Sequence, residues 1–249
     1  MMEILKHAAH RPWPLPRGSW IMKQEWHDLL FAHWVVPADV LRPLIPRMLE
    51  IDTFGGQAWL GVVPFRMSGV RMRSTPAIPG FSRFPELNVR TYVMRDGKPG
   101  VWFFSLDAMS VVAVWGARAF FHLPYFFAEI SCAEDAGWIR YESHRIDHRG
   151  SAASLRARYR AIGSVFRAQP HSVEHFLVER YCLYTADKKG RIIRCEIHHP
   201  RWPLQLAETA LQENTMAAAA GIASAELKPE LLHFSRRQEV VVWAPQVLK

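Results

Sequence analysis

Along Phe84-Pro85-Glu86-Leu87-Asn88-Val89-Arg90-Thr91-Tyr92 the residues able to do polar chemistry fall on every second position. On a strand, alternation sets Glu86, Asn88, Arg90 and Tyr92 on one face and Leu87, Val89, Thr91 and Val93 on the other. A carboxyl, an amide, a guanidinium and a phenol in a row face either water or a polar cavity wall, since a ligand pocket needs a few converging polar groups on a rigid element. Arg118 and His122 are four residues apart in an apolar segment, so on a helix they share a face, and a buried Arg118 would need a partner such as Glu86. Three roles are open for Glu86, Arg90, Arg118 and His122. They line a site for a small, largely apolar ligand with a carboxylate or carbonyl; or Glu86 and His122 act as acid and base; or the set is an internal ion-pair network that binds nothing.

Other motifs carry less. His171-Ser172-Val173-Glu174-His175 fits the H-x-x-E-H pattern of inverted zinc peptidases. His171 directly follows Pro170, at the start of a helix rather than within it, so Ser172 as the helix cap is the simpler reading and no metal is expected. His198 and His199 are adjacent and on a strand cannot both face one pocket. Cys132, Cys182 and Cys195 have no metal-site spacing and cannot all pair, which fits a reducing, cytoplasmic setting. No G-x-S-x-G, Walker A or G-x-G-x-x-G string occurs, so nucleotide chemistry lacks sequence support and no cofactor is expected. In Leu155-Arg156-Ala157-Arg158-Tyr159-Arg160-Ala161 three arginines share a strand face, read as a solvated ladder. A basic nucleic-acid-associated module is the alternative, but Tyr159 is not on the arginine face, so only weak, nonspecific binding is expected.

The elements that must position these residues are mostly strands. The chain has 249 residues, 49% of them hydrophobic and 22% charged, with a net charge of +8, enough to bury a large core as one domain over 1–249. Residues 1–21 read as an irregular lead-in without the apolar core of a signal peptide. The most apolar region, Phe103 to Ile130, is interrupted by Asp107, Arg118, His122 and Glu129, so no membrane helix is expected. Met22 to Val36 fits strand or short helix equally. Leu49 to Asp52 and Ala58 to Arg66 flank a Phe54-Gly55-Gly56 turn as a hairpin, and Glu86 to Arg95 and Val101 to Leu106 flank Asp96 to Gly100 as another, with a Ser74 to Ser82 loop between. Ala108 to His122 reads as a buried helix ended by Pro124. Tyr125 to Cys132, Trp138 to Ile146 and Ser154 to Ile162 read as strands, and Val173 to Leu183 as a helix. A hairpin at Ala186 to Gly190, a helix-like stretch over Leu204 to Ala219, and two strands, Leu231 to Ser235 and Glu239 to Trp243, complete the chain. Many antiparallel strands with a few helices make an α+β, strand-dominated fold with a strongly curved sheet or barrel.

FAHWVVP, LEIDTFGGQAWLGVVPFRM, FPELNVRTYV, GVWFFSLDA, WGARAFFHLPY, FLVERYCLY and HHPRWPLQ, in this order from Trp26 to Val242, resemble the YqjF-like family of uncharacterised bacterial proteins. The resemblance implies the acetoacetate decarboxylase-like fold, a curved antiparallel β architecture around an apolar cavity. Acetoacetate decarboxylase forms a Schiff base through a lysine activated by its lysine neighbour. Aligned on Arg118 and Pro124, those two positions hold Tyr125 and Phe126, so the resemblance implies that the amine nucleophile is missing and places Tyr125 among the ligand-binding residues. Glu86 resembles the glutamate of that enzyme's strand motif. The adjacent pair Lys188-Lys189 sits in Asp187-Lys188-Lys189-Gly190, a hairpin-tip composition where a desolvated amine cannot be made.

Overall fold

The structure, a computed structural model, describes residues 3–77, 82–222 and 228–248. Residues 78–81 of the expected Ser74 to Ser82 loop lie outside the described residues. Thirteen described strands form one sheet: β1 (Met22–Val36), β2 (Glu50–Ile51), β3 (Ala58–Met72), β4 (Phe84–Arg95), β5 (Lys98–Ala108), β6 (Tyr125–Asp135), β7 (Trp138–Arg145), β8 (Ser154–Phe166), β9 (Cys182–Ala186), β10 (Ile192–His198), β11 (Leu204–Asn214), β12 (Leu231–Val242) and β13 (Gln246–Val247). The helices are short: α1 (Glu3–Lys6), α2 (Ala38–Leu41), α3 (Val111–Phe120), α4 (Val173–Val178) and α5 (Met216–Ala219).

The strand order is β13-β10-β9-β5-β6-β7-β8-β11-β12-β1-β3-β4-β2, and two further pairings, β4 with β5 and β10 with β12, close the sheet on itself. The expectation of a curved, strand-dominated fold is met, with one amendment: β5 runs parallel to both β6 and β9. β1, β3 and β4 make a wall buried on both sides. Leu30, Ala32 and Trp34 pack with Leu60, Val62, Leu87 and Val89 in one core, while Leu29 and Phe31 pack with Val63 and Phe65 in the other. That explains why Leu29 to Val36 has no clear period in the sequence, because a strand segment covered on both faces is apolar almost throughout, whereas the preceding Lys23 to Asp28 is mostly polar and only partly covered.

Two bulges keep the cavity side of this wall continuous. The β1–β3 register slips between His27 and Ala32, where Asp28 has φ 54°, and between Lys23 and Glu25, where Gly69 of β3 has φ 59°. Each extra residue reverses the alternation of its own strand: on β1 Met22, Gln24 and Trp26 face the cavity before Asp28 and Leu29 after it, and on β3 Val63, Phe65 and Met67 face it before Gly69 and Val70 and Met72 after it. The left-handed backbone at Asp28 is held on both sides: Arg66 and Arg236 pair with its carboxylate, and the Tyr159 hydroxyl donates to its carbonyl at 2.8 Å.

Several local readings give way to tertiary pairing. β11 continues to Asn214 because it pairs with β8 from Leu204 onward, overriding the helix propensity of its Leu, Ala, Glu and Gln residues; only Met216–Ala219 of that stretch is helical. The helix expected over Val173 to Leu183 stops at Val178, since Cys182–Ala186 is recruited as a strand between β10 and β5. The last two strands are one, β12, whose polar centre pairs with β1 without a break. β2 does not form the expected hairpin with β3; it pairs with β4, and Phe54 and Gln57 close the intervening turn alone. The second hairpin forms, but with a tighter turn than expected: Arg95 lies opposite Lys98, only Asp96 and Gly97, both at positive φ, lie between, and β5 starts at Lys98 rather than Val101. The lead-in is partly ordered: Arg11 donates to the Ile197 carbonyl at 2.6 Å, and the Trp13 indole to Glu196 at 2.9 Å.

The buried pair that ties β5 to β7 yields a stability prediction. Arg145 holds Asp107 through two hydrogen bonds of 2.6 and 2.9 Å, with both side chains almost wholly out of water. Arg145→Met strands the carboxylate and should cost about 3–5 kcal/mol in chemical denaturation, whereas adding Asp107→Leu should recover most of that loss.

Candidate ligand-binding site

One side of the β1–β3–β4 wall faces a cavity of about 650 Å³, closed on its far side by α3, the end of α4, β9 and β10. Its walls are mainly apolar, including Leu29, Val63, Phe65, Met67, Phe103 and Leu106. α3 starts at a capping serine, Ser110, whose Oγ accepts from the Ala113 amide at 3.3 Å. Its small residues Ala113, Gly116 and Ala117 line the cavity. The expected buried helix is in fact a thin wall, because Trp115 and Phe120 on it are 68% and 69% exposed. Phe120 and the exposed Met72 both line the cavity, so they mark its mouth.

Into these apolar walls β4 projects Glu86, Asn88 and Arg90. Strand alternation thus resolves to a cavity wall rather than a wet face. Glu86 is buried, and its Oε2 accepts from the Tyr125 hydroxyl at 2.7 Å. Burial pushes its carboxyl up to about 8, against the pull of the Tyr125 bond, so it is mostly protonated at neutral pH. The same burial, with Glu86 beside it, raises the Tyr125 phenol well above its ordinary value. β4 is fixed here by the Tyr141 hydroxyl, which donates to the Glu86 carbonyl at 2.8 Å.

Arg90 lies 5.4 Å above the Phe31 ring and 5.8 Å from that of Tyr92, whose hydroxyl sits 2.6 Å from Nε2 of the buried His33. Among the described residues, no carboxylate pairs with Arg90, and its Nε has no hydrogen-bond partner. Asn88, nearly as buried as Glu86, likewise leaves its Oδ1 unpartnered. The other cavity guanidinium is different: Arg180 is held by Asp52 at 2.5 Å and by the Phe176 carbonyl at 2.6 Å, with Phe176 and Tyr92 rings against it.

Of the residues singled out in the sequence, Glu86, Arg90 and Tyr125 come together around the cavity, while Arg118 and His122 do not line it. Arg118 donates to the Tyr125 carbonyl at 2.7 Å and lies over the Phe126 ring, so it is not the partner of Glu86. His122 is exposed and has φ 54°, two residues past the end of α3, so it does not share a helix face with Arg118. The Glu86 and His122 acid–base pair and the Glu86–Arg118 ion pair are therefore not formed. Of the adjacent histidines only His199 lines the cavity, as strand alternation requires, and His198 bonds to the Ile4 carbonyl. Ser172 caps α4, its Oγ accepting from the His175 amide at 3.2 Å. No lysine is among the described residues that line the cavity.

Sequence reasoning missed Arg180, Gln24, and the stacked pair Trp26 and Trp202, whose rings lie 6.0 Å apart at the cavity wall. These come from separate parts of the chain, and no local pattern links them. It also missed Trp138, which brings an aromatic ring to the arginine ladder from the neighbouring β7, under Arg158 at 4.8 Å and Arg160 at 4.5 Å. Glu208 and Glu213 of β11 pair with Arg160 and Arg156, so the ladder is largely neutralised on its own sheet.

No helix among the described residues is long and apolar enough to cross a membrane. The acetoacetate decarboxylase of Legionella pneumophila subsp. pneumophila str. Philadelphia 1 has a similar fold, with a TM-score of 0.63 over 96% of this chain and 93% of that one at 12% identity. So does an acetoacetate decarboxylase-like enzyme from Sphingomonas wittichii RW1, with a TM-score of 0.61 over 98% of this chain and 99% of that one at 10% identity. MppR, an enduracididine biosynthesis enzyme complexed with pyruvate, matches with a TM-score of 0.60 over 96% of this chain and 93% of that one at 13% identity. Uncharacterized protein YqjF of Bacillus subtilis (strain 168) is 46% identical over 229 residues, which cover 92% of this chain and 93% of that protein. The family model DUF2071, an uncharacterized conserved protein, matches residues 23–239. That span holds most of the sheet and of the cavity lining, β4 with Glu86, Asn88 and Arg90 included, and this chain belongs to the DUF2071 family.

Proposed function

We propose that the cavity binds a small, largely apolar molecule bearing a carboxylate or carbonyl, with Arg90 as the anionic anchor and the protonated Glu86 as a hydrogen-bond donor beside Tyr125. The observation that carries this reading is Arg90, a cavity guanidinium without a counter-ion among the described residues. Arg90 is half-buried with its Nε out of water and unpartnered, and a ligand carboxylate would offset the cost of partly withdrawing that charge from solvent. Glu86 cannot do so, because burial keeps it protonated. The same fold in MppR is complexed with pyruvate, itself a small carboxylate, which supports the reading. His122 lies away from the cavity, so nothing favours a lyase or hydrolase mechanism built on Glu86 and His122. The reading includes no covalent step through an amine, because Tyr125, at a position where the resemblance expects lysine, spends its hydroxyl on Glu86.

Three measurements test this reading. Octanoate should bind in calorimetry, and Arg90→Gln should weaken it roughly 10- to 100-fold, the worth of charge-assisted hydrogen bonds; unchanged affinity would remove Arg90 as the anchor. Borohydride reduction with acetoacetate should leave the intact mass unaltered, and a stoichiometric adduct on one lysine would refute the noncovalent reading. The third concerns pH. A carboxyl raised from the usual 4.5 to about 8 stabilises the fold fully below 4.5 and loses that contribution as pH rises through about 8. Between about pH 5 and pH 8 the Tm of the native protein should therefore fall more steeply than that of Glu86→Gln, which mimics the neutral acid at every pH; parallel curves would mean that Glu86 ionises normally.

A further inference from the structure

The spacing of the polar groups on β4 constrains the ligand beyond its anionic end. Glu86 and Arg90 are four residues apart on one strand face, which is about 13 Å of backbone. The Arg90 guanidinium lies against the rings of Phe31, at 5.4 Å, and Tyr92, at 5.8 Å. At the other end, the Glu86 Oε2 is taken by Tyr125, while Oε1 has no hydrogen bond among the described residues and is left for a ligand. Between the two stands Asn88, its buried Oδ1 unpartnered. Val63 and Phe103, the neighbours of Asn88 and Arg90 across the sheet, are apolar, and on the far side Arg180 is already held by Asp52 and His199 by the Arg180 carbonyl. With a hydrogen bond of about 3 Å at each end, a molecule meeting both Glu86 and Arg90 carries two polar ends whose separation lies between about 7 Å, if both bonds run along the strand, and about 13 Å, if both run across it. A two- or three-carbon acid cannot span that distance, and a cavity of about 650 Å³ has room for a much longer chain.

We propose that the cavity takes a two-ended ligand, an oxygenated medium-chain carboxylate whose carboxylate sits on Arg90 and whose far hydroxyl or carbonyl oxygen sits against Glu86. This rests on the reading of Arg90 as the carboxylate anchor and adds the second end and the length. The apolar spacer lies against Val63 and Phe103, and a hydroxyl along it would satisfy Asn88.

Calorimetry with octanoate, ω-hydroxyoctanoate and glycolate tests the proposal. ω-Hydroxyoctanoate should bind about 5- to 10-fold more tightly than octanoate, the worth of one hydrogen bond, and glycolate far more weakly than either. Glu86→Leu should erase the advantage of the hydroxyl, so that it binds octanoate and ω-hydroxyoctanoate alike, and Glu86→Gln, which keeps a donor, should retain the difference. If octanoate binds through Arg90 but the hydroxyl gains nothing, the second end is wrong and the carboxylate reading survives. If neither octanoate nor its hydroxy derivative binds, and the native protein and Arg90→Gln are alike, both readings fail together. The octanoate titration of Glu86→Leu also reports whether that variant is folded, so loss of the hydroxyl effect is not confused with loss of the protein.

Discussion

The enclosure of β4 on both faces is the constraint on which the rest of the molecule depends. A sheet closed by the β4–β5 and β10–β12 pairings leaves this strand no solvent face. Because side chains alternate with a period of two, its residues must divide between a dry core and whatever occupies the other side. Leu87, Val89 and Val93 enter the core shared with Leu30 and Val62, and Glu86, Asn88 and Arg90 enter the cavity. A slip of one residue would drive a carboxyl, an amide and a guanidinium into close-packed leucine and valine, so burial on both sides fixes the register. The β3 neighbour and the Tyr141 hydroxyl on the Glu86 carbonyl hold it in place.

Charges inside this molecule fall into two kinds. Asp107 with Arg145, Asp28 with Arg66 and Arg236, and Asp52 with Arg180 are all satisfied within the protein, and each joins elements distant in sequence. Such pairs hold segments in position, because removing either partner leaves an uncompensated charge. Glu86 and Arg90 instead meet burial without an ionic partner. Glu86 does so by keeping its proton, and Arg90 by lying against the electron-rich faces of Phe31 and Tyr92. These two side chains line the cavity, whereas the paired charges join one part of the fold to another.

The comparisons separate fold from chemistry. At 10–13% identity, the acetoacetate decarboxylase-like structures share the sheet and not the side chains. Tyr125 and Phe126, adjacent at the start of β6, face opposite ways. Tyr125 begins β6 facing the cavity, while Phe126, one residue on, points away and lies beneath Arg145 at 4.2 Å and Arg118 at 5.7 Å. One of the pair furnishes the cavity with a hydroxyl that steadies Glu86, and the other supports the buried Asp107–Arg145 pair from outside. The thin α3 wall then limits how much chain separates the cavity from its surroundings.

The sequence by itself determined what depends on neighbours in the chain. Alternation in FPELNVRTY placed Glu86, Asn88 and Arg90 together on one face, the Asp96-Gly97 turn gave the β4–β5 hairpin, and Ser172 read as a cap that the structure has. Tertiary structure decided everything that depends on what lies across the sheet. Whether the polar face of β4 met water or a cavity was settled by α3, β9 and β10, and none of these is adjacent to β4 in the chain. Leu204–Asn214 became a strand because β8 offered it a ladder, although its composition favours a helix. His122 left the site because the chain turns through a positive φ on its way to Pro124, breaking the helical spacing that had set it beside Arg118. Arg180, Trp26 and Trp202 converge on the cavity from three distant segments, and only closure of the sheet brings them together, since long-range packing carries no periodic signature in a single chain.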